Sequence, residues 1–339
     1  MPLPITQTRL LAPNFPICPL PVGLWQLSGG HGRIDREQAT ESLFDYVDAG
    51  YTTLDMADHY GPAEEIYGEF RRRWIARRDP ESLAGVQAMT KWCPSPGDMS
   101  PDVVAQAIDI SLRRMDVDCL DSLQFHWWDY EDPRYLDALA HLSDLQSGGK
   151  IRHLALTNFD TSHLQAIVDA GITIASNQVQ YSLVDRRPER EQLAVCQAHG
   201  VQFLTYGTLC GGLISESYLG VEDPRPAQLD TNSKKKYKRM IDSWGGWPLF
   251  QQLLQALHTI AQRHEVSITN VATRAILDQP HVAGVIIGCR LGLSEHRESN
   301  ARVFDFSLTG DDWELINEAT SGHNDLFTRI GDCGDEYRT

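Results

Sequence analysis

The chain has 339 residues, 42% of them hydrophobic, and a formal net charge of −16 at pH 7. That length admits one large domain or two ordinary ones, with enough apolar material for a sizeable core. The acidic balance argues against nucleic acid or an anionic membrane surface as the main partner, because both select basic patches, and favours a small molecule.

In chain order, short apolar runs alternate with amphipathic stretches. A strand near "PLPVGLWQLS" precedes the helical "DREQATESLFDYVDAG". "GYTTLDMA" then leads to "AEEIYGEFRRRW", "GVQAMTKW" to "DVVAQAIDISLRRM", "DCLDSLQFHW" to "PRYLDALAHLSDL", and "IRHLALTN" to "SHLQAIVDA". "ITIASNQVQY" precedes "PEREQLAVCQAHG", "VQFLTYGTL" precedes a long segment ending in "PLFQQLLQALHTIAQRH", and "VAGVIIGC" precedes "LSEHRESNARVF". Eight strand-helix units demand a parallel sheet with helices outside, and eight in one chain suggest a closed (β/α)8 TIM barrel. Asp35 can cap the first helix and Gly50 end it, Pro101 suits a helix's first turn, and Gly200 closes another helix before a strand. Leu249, Phe250, Leu253, Leu254, Leu257, Ile260 and Ala261 recur at helical spacing and should pack on the barrel wall. No low-complexity tract divides the sequence, so residues 1–339 are expected to form a single domain, with a long loop insertion at about 215–247.

The seven cysteines (Cys18, Cys93, Cys119, Cys196, Cys210, Cys289 and Cys333) are odd in number and scattered. There is no Cys-x-x-Cys and no Cys/His pair at zinc-ligand spacing, so reduced thiols and no metal centre are expected. Neither a signal-peptide pattern nor an apolar run approaching the roughly 20 residues of a membrane span is present, which makes the cytoplasm the expected location.

In a barrel of this kind the C-terminal strand ends form the active face. Strand two ends near Asp55 with Tyr60 in the following loop, strand three ends in Lys91, and strand four in His126. Neighbouring strands lie about 4.8 Å apart, so these four side chains can converge. The chemistry they allow is proton transfer at a tyrosine. A free phenol, with a pKa near 10, is a poor acid or base at neutral pH, and a nearby ammonium moves it toward neutrality. Lys91 can supply that charge, Asp55 can be its counter-ion, and His126 can donate a hydrogen bond to a substrate oxygen. Each residue alone could be a capping, packing or surface group; four at successive strand ends point to catalysis.

With "DMADHYGPAEEIYG", "MTKW" and "LQFHW", the sequence resembles the aldo-keto reductase family over most of its length. The resemblance implies the eight-fold barrel, with Ile5 to Pro21 as an N-terminal β-hairpin closing the bottom. It implies Asp55, Tyr60, Lys91 and His126 as a catalytic tetrad, with Tyr60 the proton donor to a carbonyl and NADPH the hydride donor. It places Thr157, Asn158 and Gln178 at the nicotinamide carboxamide and Tyr206 under the nicotinamide ring. Leu209, Gly211 and Leu213 would approach the pyrophosphate, and Gly288, Arg290, His296 and Asn300 the adenosine phosphate. Thr157 stands where serine is usual, Gly207-Thr208 replaces Ser-Pro, and Ser299 stands where glutamate is common. No Gly-x-Gly-x-x-Gly follows the first strand, which excludes a Rossmann crevice and agrees with phosphate binding at late barrel loops.

Trp25, Trp92, Trp127 and Trp128 follow strands one, three and four, and Trp25, Trp92 and Trp127 are the expected walls of an apolar substrate pocket. The basic "NSKKKYKR" and Gly245-Gly246 could form a cofactor lid and hinge, or a solvated helix face at Lys234, Lys235 and Lys236. The expected function is NADPH-dependent reduction of an aldehyde or ketone, or the reverse oxidation. The alternative is an NADP-sensing regulatory subunit that modulates a partner. Reduction of a conjugated C=C bond is disfavoured, since family members with that activity carry glutamate where this chain has His126.

Overall fold

In the computed structural model, residues 5–29, 32 and 34–338 are described; residues 1–4, 30, 31, 33 and 339 of the expected one-domain span lie outside them. A two-stranded antiparallel hairpin, β1 (Arg9–Ala12) and β2 (Phe15–Ile17), comes first. The barrel strands follow as β3 (Val22–Gly23), β4 (Thr53–Asp55), β5 (Gln87–Trp92), β6 (Leu120–Phe125), β7 (Ile151–Thr157), β8 (Ser176–Gln180), β9 (Gln202–Tyr206), β10 (Val282–Val285) and β11 (Ile287–Gly288). Helices α1 (Arg36–Asp48), α2 (Ala63–Arg77), α3 (Pro101–Met115), α4 (Tyr135–Ser147), α5 (Thr161–Asp169) and α6 (Gln192–His199) alternate with them. The C-terminal part carries α7 (Asn232–Trp244), α8 (Gly246–Arg263), α9 (Ile268–Leu277), α10 (Arg297–Ala301), α11 (Gly310–Thr320) and α12 (Leu326–Ile330).

Every neighbouring pair in the nine-segment sheet is parallel, in the order β10-β9-β8-β7-β6-β5-β4-β3-β11. Its two end segments are consecutive in the chain, separated by Ile286 alone, so the eighth strand is split and the sheet closes on itself. Backbone N–H groups on either side of the break bridge both neighbours, Ile286 to the Thr205 carbonyl at 2.8 Å and Ile287 to the Pro21 carbonyl at 2.9 Å. The result is the expected (β/α)8 barrel.

The hairpin is where the sequence placed it. Leu11, Phe15 and Ile17 alternate inward and form a small buried cluster with Met89, Leu204 and Ala283. Arg9 donates to the carbonyls of Val282, at 2.8 Å, and Leu277, fastening the hairpin to β10 and the end of α9. Local signals hold as well: the Asp35 side chain accepts from Gln38 N–H at 2.9 Å, and Pro101 opens α3. Gly50 takes φ +89°, and a Cβ there would lie 2.3 Å from the Ile5 carbonyl oxygen, which explains glycine at that turn. Along α8 the predicted stripe is buried except for half-buried Leu249. Burial contributes about 1.5–3 kcal/mol for each leucine or phenylalanine.

The segment 215–247 is not a loop. After short turns at Glu216–Tyr218 and Pro226–Gln228 it forms α7, whose N-cap Thr231 accepts from Lys234 N–H at 3.2 Å. Tyr237, Met240, Ile241 and Trp244, at helical spacing, are buried on its inner face. The basic residues between them conceal this stripe in a reading by composition. Gly246, at φ +80°, lets α7 turn directly into α8. Among the described residues, no helix is long and apolar enough to cross a membrane, and none of the seven cysteines is disulfide-bonded.

Candidate active site

The strand register brings β4, β5 and β6 side by side, with Asp55 opposite Met89 and Lys91 opposite Gln124. Because successive residues point to opposite faces, Lys91 and Gln124 project into the barrel mouth. Lys91 Nζ donates to Asp55 Oδ2 at 2.6 Å and to the Met56 carbonyl at 3.1 Å. The other Asp55 oxygen accepts from Gln124 Nε2 at 2.8 Å and Gln178 Nε2 at 2.9 Å, and Gln178 also donates to Gln124 Oε1 at 2.6 Å. All four side chains are at least 97% buried. A desolvated ion pair is tolerated when the remaining lone pairs are satisfied, and here two amides do that. Gln124 was missed in the sequence, although it lies two residues before His126 on the same face.

Tyr60, at the turn beyond β4, is half-buried in the cavity wall. Its ring centroid lies 5.1 Å from Lys91 Nζ and 4.9 Å from the Trp25 ring. Burial, followed by the charge of Asp55, raises its pKa well above the ordinary phenol value. This reverses the expectation that Lys91 pulls the phenol toward neutrality. Burial and the neighbouring Asp55 carboxylate outweigh the ammonium, and Tyr60 carries its proton at physiological pH.

His126 directly follows β6, with its ring buried. Nδ1 lies 2.9 Å from the Thr157 carbonyl oxygen, which can only accept, so Nδ1 carries a proton. Burial lowers the ring's pKa to about 4. The neutral ring therefore presents a lone pair on Nε2, an atom that is buried without a hydrogen-bond partner. This corrects the expected donation from His126 to a substrate oxygen: at neutral pH its free nitrogen accepts.

These residues open into a cavity of about 1440 Å³ that extends to Arg290, His296 and Asn300 after the split eighth strand. Thr157, Asn158, Gln178, Tyr206, Leu209, Gly211 and Gly288 line it, as predicted. The Thr157 hydroxyl is buried without a partner, and Asn158, at φ +58°, accepts from the Tyr206 hydroxyl at 2.7 Å. Leu213 departs from the prediction: it is fully buried and outside the lining. Gly207 takes φ +70°, and a Cβ there would lie 2.2 Å from the Tyr237 hydroxyl of α7. This accounts for glycine where the resembled motif has serine. Arg290 makes no ion pair among the described residues. The carboxylate that might have claimed it, Glu295, pairs with Arg297 at 3.0 Å, and Arg297 also reaches Asp45 at 3.3 Å.

The sequence profile of the Aldo/keto reductase family matches residues 19–321. The chain belongs to that family. Its members are NAD(P)H-dependent oxidoreductases of carbonyls and alcohols. An aryl-alcohol dehydrogenase of Pestalotiopsis microspora is 27% identical over 337 residues, an alignment covering 91% of this chain and 81% of the relative. The solved structure of glycerol dehydrogenase from Gluconobacter oxydans matches with a TM-score of 0.73 at 23% identity, covering 94% of each chain. That of an aldo/keto reductase from Klebsiella pneumoniae, in complex with NADP and acetate, matches at 0.68 and 21%, covering 93% of this chain and 96% of the other. At those identities the two structures establish likeness of fold.

Within this aldo-keto reductase the tryptophans sort by strand alternation. Lys91 and His126 point into the barrel, so Trp92 and Trp127, their next neighbours, point outward. Trp92 packs on Phe125 with ring centroids 5.6 Å apart. Trp127 is fully buried and donates to the carbonyls of Asp129 and Asp132 at 2.6 and 2.9 Å. Neither lines the cavity; Trp25 and Trp128 do, with the Trp128 ring 4.2 Å from that of His126. Trp92 and Trp127 are thus core residues, not pocket walls.

The reductase has a further wall that the sequence did not announce. Tyr337 lines the cavity with its hydroxyl 3.2 Å from that of Tyr206, and Lys236 of α7 donates to Tyr337. Lys234 and Lys236 line the cavity and only Lys235 of the three is exposed, so the basic run is not a uniformly solvated face. The tail carrying Tyr337 is held by Arg187, which is buried. Its guanidinium meets Asp185 at 2.8 Å, Glu336 at 3.0 Å and the Asp332 carbonyl at 2.8 Å. Arg338 adds a 2.7 Å bond to the Trp127 carbonyl.

Proposed function

We propose that this chain acts as one domain that reduces an aldehyde or ketone with NADPH, or catalyses the reverse oxidation, with Tyr60 as the general acid. The observation that carries the reading is the Tyr60 phenol in the cavity wall, its ring centroid 5.1 Å from Lys91 Nζ of the buried Lys91–Asp55 pair. The site residues fit a nicotinamide nucleotide. Thr157 has an unmatched hydroxyl for a carboxamide, Tyr206 offers a ring for stacking, and Arg290, which makes no ion pair among the described residues, lines the cavity as a cation for the 2′-phosphate, which favours NADPH over NADH. The Klebsiella pneumoniae relative binds NADP in the same fold.

When bound, NADPH supplies hydride to the carbonyl carbon. Tyr60 donates its proton to the oxygen, which acquires negative charge as the carbon is reduced. The phenolate left behind is stabilised by Lys91, and solvent returns the proton. Asp55, held by Gln124 and Gln178, positions the Lys91 ammonium. His126 Nε2 accepts from the hydroxyl of the alcohol product. Trp25, Trp128 and Tyr337 give the carbonyl pocket an apolar lining that suits an uncharged substrate.

The test is Tyr60→Phe assayed for NADPH oxidation across aliphatic, aromatic and sugar carbonyls, with fluorescence titration of NADPH alongside. Turnover should fall by roughly 100- to 10,000-fold with cofactor affinity nearly unchanged. Retention of most of kcat would remove Tyr60 from the role. A wild-type chain that binds NADPH but turns over none of the panel would favour the regulatory alternative.

A further inference from the structure

At the cavity rim, one step beyond the Asp55 and Lys91 strand ends, lie three side chains with no part in the proposed chemistry. Asp58 and His59 follow β4, and Cys93 follows β5. One ligand atom from each, a carboxylate oxygen, an imidazole nitrogen and a thiol sulfur, lies within 4.8 Å of the others. Asp58 N–H donates to the Lys91 carbonyl at 3.0 Å, and its Oδ2 accepts from Cys93 N–H at 3.2 Å, which fixes the two strand ends against each other. Asp58 Oδ1 is left to meet His59 Nδ1 at 2.8 Å.

We propose that Asp58, His59 and Cys93 form a binding site for a divalent cation of the zinc class, and that its occupation blocks turnover. The donor set is the mixed sulfur, nitrogen and oxygen type that zinc takes. With bonds of about 2.0–2.3 Å, a tetrahedral site has ligand–ligand edges of about 3.3–3.8 Å. Small side-chain shifts close the cluster to that size, and His59, which is 43% exposed, can make them. Coordination releases the Cys93 thiol proton to solvent and bonds the cation to sulfur. His59 and Cys93 line the cavity, and the His59 ring lies 4.9 Å from that of Tyr60. A fourth coordination position would open toward the space in which the substrate must meet the phenol. The inhibitory part rests on the Tyr60 reading; the binding part does not.

The untagged chain, free of cofactor, is titrated with zinc chloride in a calorimeter, and separately with cobalt(II) to record the near-ultraviolet thiolate charge-transfer band. The expected result is saturable, equimolar zinc binding, weakened roughly tenfold or more by either Cys93→Ser or His59→Gln, with the cobalt band lost in Cys93→Ser. Zinc should inhibit the wild type reversibly on addition of a chelator, and inhibit the variants far less relative to their own metal-free rates. Absence of stoichiometric binding, or binding and a cobalt band unaltered in both variants, overturns the proposal. Zinc bound through these residues with turnover unaffected overturns the inhibitory part, whether or not Tyr60→Phe behaves as expected.

Discussion

On one side of the cavity Asp55, Lys91 and His126 stand at the ends of three successive strands. A second side, which meets the first where the Tyr337 ring lies 6.4 Å from that of His126, is assembled from Tyr206, Tyr237 and Tyr337, the first and last of which are 131 residues apart and meet hydroxyl to hydroxyl. On the first side the hydrogen-bond ladder sets each position and the two-residue alternation sets each direction, so chemistry and core share the same strands. On the second side, position depends on how α7 and the C-terminal tail pack against β9. The strand-end residues thus sit where register is rigid, while the remaining walls come from segments packed outside the strand ladder.

The sharpest way to break this comparison is to alter the two faces of the rigid side separately. Trp92→Ala should destabilise the protein by about 3–5 kcal/mol, as removal of a buried aromatic does, with little change in substrate preference. Trp128→Ala should alter stability by about 0.5 kcal/mol or less and change KM across a carbonyl panel. Urea unfolding and steady-state kinetics on both variants check this; equal loss of stability would mean that alternation does not separate core from pocket.

A smaller effect is expected at the far end of the cavity. Arg290→Ala should weaken NADPH by about ten- to a hundredfold, corresponding to roughly 1.5–3 kcal/mol for a charged hydrogen bond, and leave NADH nearly unchanged. Dissociation constants for both nucleotides at one ionic strength decide it. Equal losses would show that Arg290 supports its loop and does not read the phosphate.

The remaining test concerns pH. Burial depresses the His126 pKa from 6.5 to about 4, so between those values the unfolded chain holds a proton that the folded ring refuses. Its contribution to stability is complete above pH 6.5 and is lost as pH falls toward about 4. Urea midpoints across that window should fall less steeply in His126→Asn than in wild type. Parallel slopes would mean that the native ring is protonated and can donate after all.

The barrel, its hairpin and the four strand-end residues were legible because period-two apolar runs, caps and motif residues all act locally. Placing Trp92 and Trp127 in the pocket was an avoidable error: once Lys91 and His126 were assigned inward, alternation had already turned both outward and left Trp128 facing in. Helix α7 was hidden because Lys234, Lys235, Lys236 and Lys238 dominate its composition, while its apolar residues lie at 237, 240, 241 and 244. The raised pKa of Tyr60 was not readable, since it depends first on how the fold buries the phenol and then on the nearness of the Asp55 charge. Tyr337 carried no signal, because only the fold brings the tail to Tyr206. The same holds for Cys93 beside Asp58 and His59, whose separation in sequence matches no zinc-ligand spacing.

Arg187 turns the chain's last described segment from an appendage into a keystone. Its guanidinium is shared between Asp185 and Glu336, so the residue next to Glu336, Tyr337, is braced from inside the molecule. Loss of that guanidinium, as in Arg187→Met, would loosen a wall of the cavity while the strand ladder stayed intact.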